Sequence, residues 1–217
     1  MDLTAFHELI TSLVGNDDSR LSPDDVARAT GLVMNRYSVD APRRVTEDLV
    51  VLEGLVLTAP LAWVAGRSQI RSIEFPIGEN PPIFLEKDDF YVYDALDDAQ
   101  EIRFLTGPAV TDSVRLVYTG LHDSPDTIAP ADAQLCAAFA AAGLCDQLAA
   151  KYGHSTEATL QADTVNHQDK GRFFASRARD LRAQYENKFG QPTTLGAASA
   201  VVTIGSSRDS GSRRMYH

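Results

Sequence analysis

Apolar residues in the first segment fall at Leu3, Phe6, Leu9, Ile10 and Leu13. Spacings of three and four place them on one helical face, so 3–14 reads as a short amphipathic helix. Gly15 to Asp18 end it. A second helix start stands at Leu21-Ser22-Pro23-Asp24-Asp25. Ser22 suits the N-cap, Pro23 the first helical position, and the aspartates complement the positive end of the helix dipole. This helix is expected to run to about Tyr37, with Asp40-Ala41-Pro42 breaking the chain.

From Arg44 the period changes. Arg44 to Leu52 and Leu55 to Leu57 are rich in β-branched and apolar residues, and Pro60, Gly66, Gly78 and Gly107 punctuate the chain from there to Ser113. Ile70–Phe75, Phe84–Tyr93, Glu101–Leu105 and Ser113–Tyr118 read as short strands. Leu96-Asp97-Asp98-Ala99 and Gly107-Pro108 stand where hairpin connections belong. The segment predicts a small, mostly antiparallel β module. Within it, EFPIGENPPIFL (74–85) spends three prolines and a glycine on one short link. Pro76 and Pro81-Pro82 remove backbone donors and are expected to end strand pairing on either side, with Gly78 easing the turn.

After Gly120 the helical period returns. Pro130 opens a long Ala-rich helix to about Tyr152, with Leu135, Phe139, Ala142, Ala149 and Tyr152 as a stripe and Ala138, Cys145 and Leu148 beside it. Its small residues let another helix approach closely. Residues 153–167 are polar and turn-like. A last helix runs from about Gln168 to Phe189, with Phe174, Ala178, Leu181, Tyr185 and Phe189 on its apolar face and Arg172, Arg179 and Arg182 away from it. Gly190 and Pro192 stop it. Residues 191–217 are rich in Gly, Ser, Thr and Ala and hold one strand-like run, Ala200 to Ile204. They cannot build a core and read as a disordered tail or an arm that orders on a partner.

The chain of 217 residues is 44% hydrophobic and 23% charged, ordinary for a globular protein. Its continuous apolar runs fall well short of the ~20 residues that span a bilayer. The start, MDLTAFHELI, has no basic signal-peptide region, which predicts cytosolic synthesis. Cys136 and Cys145 lie nine apart. On a helix they face opposite ways about 13 Å apart, so they read as two buried thiols rather than a disulfide. The net charge of −10 is uneven. Residues 77–132 carry twelve acids and three bases, whereas 170–217 carry nine bases and three acids. The total argues against a dedicated DNA reader, and the split suggests two ends that meet opposite charges on neighbours.

Candidate chemistry is sparse. His122-Asp123 and His167-Gln168-Asp169 invite a general-base or metal reading, and His154 and His167 flank a polar loop holding Asp163. A metal needs three or four convergent ligands, and no such spacing is present. No Gly-x-Ser-x-Gly elbow marks a nucleophile. Asp88-Asp89 and Asp97-Asp98 are the candidate carboxylate pairs, but adjacent acids on a strand face opposite ways. Arg172, Arg177, Arg179, Arg182 and Lys188 of the last helix form a solvated or partner-facing basic surface.

Three stretches carry a likeness to a known group. They are Asn35 to Arg43; Trp63 to Pro82 with Val114 to His122; and the closing helices from Cys136 through Tyr152, then Asp163 to Asn166 and Phe174 to Tyr185. Over residues 20–190 the chain resembles the head–tail connector (adaptor, head-completion) proteins of tailed bacteriophages. The resemblance implies an α+β fold. Two N-terminal helices (1–43) and two long C-terminal helices (121–190) form one compact unit, with a β module (44–120) inserted between them; residues 191–217, outside the likeness, read from their composition as an extended or disordered C-terminal arm. It implies a structural virion protein at the head–tail interface, assembled in the host cytoplasm, without catalysis, cofactor or metal. The partners it implies are the portal protein, a neck/stopper or tail-terminator protein, and further copies in a twelve-fold ring. DNA passes through the lumen without specific binding, and no membrane is involved. Arm residues Val201, Val202, Ile204, Arg208, Arg213, Arg214 and Tyr216 are the partner-binding candidates. Another assembly factor, such as a tail-completion protein or chaperone, and a small hydrolase are the alternatives.

Overall fold

The computed structural model describes residues 1–15, 20–95, 100–154 and 167–190, with backbone alone at 154 and 167–169. The fold is α+β, with four helices and two small antiparallel sheets. The helices are α1 (Leu3–Val14), α2 (Pro23–Asp40), α3 (Ala133–His154) and α4 (His167–Phe189). The strands are β1 (Arg43–Val50), β2 (Val56–Thr58), β3 (Ile70–Glu74), β4 (Phe90–Asp94), β5 (Gln100–Phe104) and β6 (Ser113–Gly120).

α2 begins as its sequence dictates. Ser22 accepts from the Asp25 amide, and the Asp25 carboxylate accepts from the Ser22 amide at 3.0 Å, a reciprocal box that satisfies two otherwise orphaned donors. That contact, aided by Lys151 and Arg28, holds the Asp25 carboxyl below its usual range. α2 continues three residues past the expected end, to Asp40.

α3 starts three residues later than expected, because Pro130 sits in a turn ahead of it. The predicted stripe is also corrected. Leu135, Phe139 and Ala149 are only half-buried, while Cys136, Ala137, Ala141, Leu144 and Leu148 are fully buried. α1, α2 and α4 all pack on α3, so it is the axis of the bundle and is covered on several sides. By length and apolar character alone, Ala133–Gly153 is sufficient to cross a membrane. That differs from the reading of continuous runs, because a helix averages over isolated polar residues such as Asp146. In the fold, its neighbouring helices bury more than half of the span. Both cysteines are free and buried, and burial pushes their thiols up, Cys136 to about 12 and Cys145 to about 11.

The β module is two three-stranded sheets, β1-β6-β3 and β2-β5-β4. They share one core of Ile73, Val114, Leu116 and Tyr118 from the first with Leu57, Ile102 and Phe104 from the second. The strand period places Val114, Leu116 and Tyr118 of β6 in this core with Arg115 between the first two, while Val117, Thr119 and Gly120 are buried as well in this central strand. The register sets Asp48, Arg115 and Glu74 in one row across three strands. Arg115 grips Asp48 with two bonds of 2.7 and 2.9 Å and approaches Glu74 at 3.5 Å.

One local expectation changes and another is extended. Gly107-Pro108 is not a hairpin turn, because β5 and β6 belong to different sheets. It carries the chain between sheets, with Gly107 at φ +101° against Leu85. EFPIGENPPIFL ends pairing at Pro76 as expected, and its two ends also pair with each other. The Phe75 amide donates to the Ile83 carbonyl at 3.0 Å, and the Leu85 amide to the Ile73 carbonyl at 2.9 Å. The prolines occupy the loop between these bonds, where no donor is needed. The Glu74 carboxylate, itself buried, accepts from the Gly78 amide at 3.0 Å and holds that loop.

Candidate interaction site at the bundle end

The β module leaves the bundle after α2 and returns through β6, so its two roots must meet. His122 joins them. Its amide donates to Ser38 Oγ at 2.8 Å. One ring nitrogen lies 2.9 Å from Thr127 Oγ1 and the other 2.9 Å from the Ala41 carbonyl. The ring also packs on Tyr37 at 4.6 Å. Both nitrogens are thus committed to the fold, and the histidine first read as a general-base or metal candidate is a buried clasp. Its neighbour Asp123 is exposed beside Arg43.

The end of α4 is tied to the same place. Tyr37 donates to Asp132 at 2.9 Å, and Lys188 pairs with the other oxygen of that carboxylate. Tyr185 donates to Asp40 at 2.9 Å, beside the Arg36–Asp40 pair at 2.7 Å. Phe189 meets Tyr37 edge-on at 5.7 Å. Burial and the Asp132 bond push the Tyr37 phenol up to about 12, and burial with Asp40 raises Tyr185 as well. Gly190 follows, and a Cβ there would stand 2.8 Å from the Glu186 carbonyl oxygen, so this position suits glycine. The polar knot therefore fixes the last turn of α4, up to Gly190.

Beside the knot lies a groove of about 420 Å³ lined by Val39, Pro42, Arg67, Arg71 and Leu121 among others. Val39 is 69% exposed, an apolar residue presented at the rim. Arg67 reaches across to Asn35 at 3.4 Å, linking module and bundle. A second cavity of about 300 Å³ between α1 and the start of α2 is lined by His7, Val14, Val26 and Leu144. The Nε2 atom of His7 is buried there without a hydrogen-bond partner.

The basic surface expected on α4 is only partly a surface. Arg177 donates to the Leu13 carbonyl at 2.8 Å, Arg182 pairs with Asp146, and Lys188 pairs with Asp132. These three staple α4 to α1, α3 and the α3 approach. Arg172 and Arg179 remain exposed. Of the candidate acids, Asp89 braces a turn by accepting from the Glu86 amide and the Thr106 hydroxyl, which holds its carboxyl below the usual range, while Asp88 is exposed. Among the described residues, no group of three or more His, Cys, Asp or Glu side chains converges as metal ligands do.

Asp97-Asp98, Asp163 and the side chains of His154, His167 and Asp169 lie outside the described residues. So do the partner-binding candidates Val201, Val202, Ile204, Arg208, Arg213, Arg214 and Tyr216. Sequence reasoning missed the knot, whose bonded partners stand as far apart as Asp40 and Tyr185, 145 positions. The available signals were Tyr37 and Tyr185, each a phenol on an apolar helix face and in need of a partner. No protein-family model matches the chain, and no curated protein matches it.

Proposed function

We propose that this chain is a structural head–tail connector of a tailed bacteriophage. Copies of it form a ring beneath the portal, twelve-fold to match it, and join the filled head to the neck or tail. The observation that carries the reading is the polar knot at the bundle end. It ties the base of the β module and the end of α4 to one place, as suits a subunit that must present separate surfaces to different neighbours. The resemblance over residues 20–190 adds to this. The arm, with Arg208, Arg213 and Arg214, reaches the portal, and the tail-side partner is a neck/stopper or tail-terminator protein. The net charge of −10 suits a conduit through which DNA slides without being gripped. The reading assigns the chain no catalytic step.

Mixing the purified protein with its portal and imaging or weighing the product tests this. The expected result is a ring stacked on the portal. Failure to associate with the portal at any ratio overturns the reading, and binding to an isolated tail tube instead makes the chain a tail-completion protein.

A further inference from the structure

The strand edges of the β module differ in how well they are protected. The edge of β1 exposes Arg44, Thr46 and Asp48, and charges on an edge discourage pairing. The outer side of β3 is crossed by the chain at Ile83 to Leu85. β2 has only three residues. β4 differs from all of them. It is the last strand of β2-β5-β4, and Tyr91, Val92 and Tyr93 are each 41–43% exposed, with both faces showing. Among the described residues it is the bare apolar edge of the module, and such an edge is a ready template for an added strand.

The chain itself carries a fitting occupant. Residues 200–204 read Ala-Val-Val-Thr-Ile, five residues against the five of β4. They are rich in β-branched side chains that pair well with aromatic neighbours across strands. The nine residues 191–199 ahead of them extend to about 30 Å, enough to leave the bundle end for a neighbouring subunit. With Val202 opposite Val92, the run Ala200–Ile204 covers the whole of β4, from Phe90 to Asp94, in either strand direction.

We infer that the β4 edge is a self-association surface that takes residues 200–204 of a second copy as an added strand. This rests on the reading of the chain as a ring-forming protein. It leaves the basic end, from Arg208 onward, free to continue to the portal.

Cysteine pairing in the full chain tests it, since the native Cys136 and Cys145 are fully buried and closed to mild oxidant. The Val92→Cys/Val202→Cys variant is oxidised alone and with portal added, and is run without reductant beside the two single variants. The expected product is a ladder of linked chains that neither single variant gives and that Val201→Pro, added to the pair, reduces at least tenfold. A link closed within one chain overturns the second-copy assignment. Absence of any link, with and without portal and across Cys at 91–93 paired with Cys at 201–203, overturns the site. Native mass spectrometry of the same samples reads portal binding separately. A portal complex without links sinks this inference alone, and links without a portal complex sink the connector reading alone.

Discussion

Tyr37 and Asp132 are 95 positions apart in the chain, and the phenol of one donates to the carboxylate of the other at 2.9 Å. The same carboxylate pairs with Lys188, so one acid near the start of α3 holds both the end of α2 and the end of α4. Tyr37→Phe removes one bond and leaves the Asp132–Lys188 pair. Asp132→Ala orphans a buried phenol and an ammonium together. The expected cost in urea unfolding is about 1 kcal/mol for the first and about 1–3 kcal/mol for the second, because the buried phenol keeps its desolvation cost without a partner, while water takes over much of the half-exposed ammonium.

Ala141 is fully buried on α3, where three other helices converge. Ala141→Leu forces added methylenes into that contact and is expected to destabilise by about 1–3 kcal/mol. Ala150→Leu, on an exposed position of the same helix, is expected to stay within about 0.5 kcal/mol. A lowered urea midpoint at unchanged m-value for the first alone would confirm that small residues here are a packing requirement.

Two glycines should respond with opposite signs. Gly107 holds φ +101°, and a Cβ there would lie 3.1 Å from a Leu85 methyl. Gly107→Ala is therefore expected to lower stability by about 1 kcal/mol or more. Gly143 lies inside α3 with nothing within 4 Å of an added Cβ, so Gly143→Ala should raise stability by up to about 1 kcal/mol. Thermal melts of the two variants check both signs.

Alkaline pH is expected to unfold the protein before it affects most surface groups. Cys136 is raised from 9.0 to about 12, Cys145 from 9.0 to about 11, and Tyr37 from 10.0 to about 12. Each stays protonated in the fold while the unfolded chain loses the proton. Their contribution is complete below pH 9 and is lost as pH rises toward 11–12, at about 1.4 kcal/mol per unit of difference. Urea midpoints measured from pH 8 to 11 should fall steadily. Cys136→Ala should flatten the fall, and a flat wild-type profile would contradict the burial of these groups.

Much of the fold was legible because local chemistry decided it. The Ser22-Pro23-Asp24-Asp25 start of α2 is a box between residues three apart, and it forms as its sequence dictates. Val114, Leu116 and Tyr118 of β6 face one core at a spacing of two, and Phe174, Ala178, Leu181 and Tyr185 of α4 all meet the other at helical spacing. The candidate site was much less legible. His122 reads as chemistry in sequence because a histidine beside an aspartate suggests a general base, yet its partners Ser38 and Ala41 lie more than 80 positions away. Arg177, Arg182 and Lys188 read as a basic face for the same reason, since their acceptors come from α1, α3 and the turn before α3.

What this sequence determined by itself is the order and type of its elements, because period, caps and turn residues act within a few positions of each other. What only the tertiary structure decided is which edge and which polar group each element leaves open. Sheet membership placed Gly107-Pro108 between sheets instead of in a hairpin and left β4 bare. Loop closure over tens of residues converted candidate catalytic and basic residues into the clasp and staples of the bundle end. Those outcomes depend on contacts whose partners are distant in the chain, and no local pattern records them.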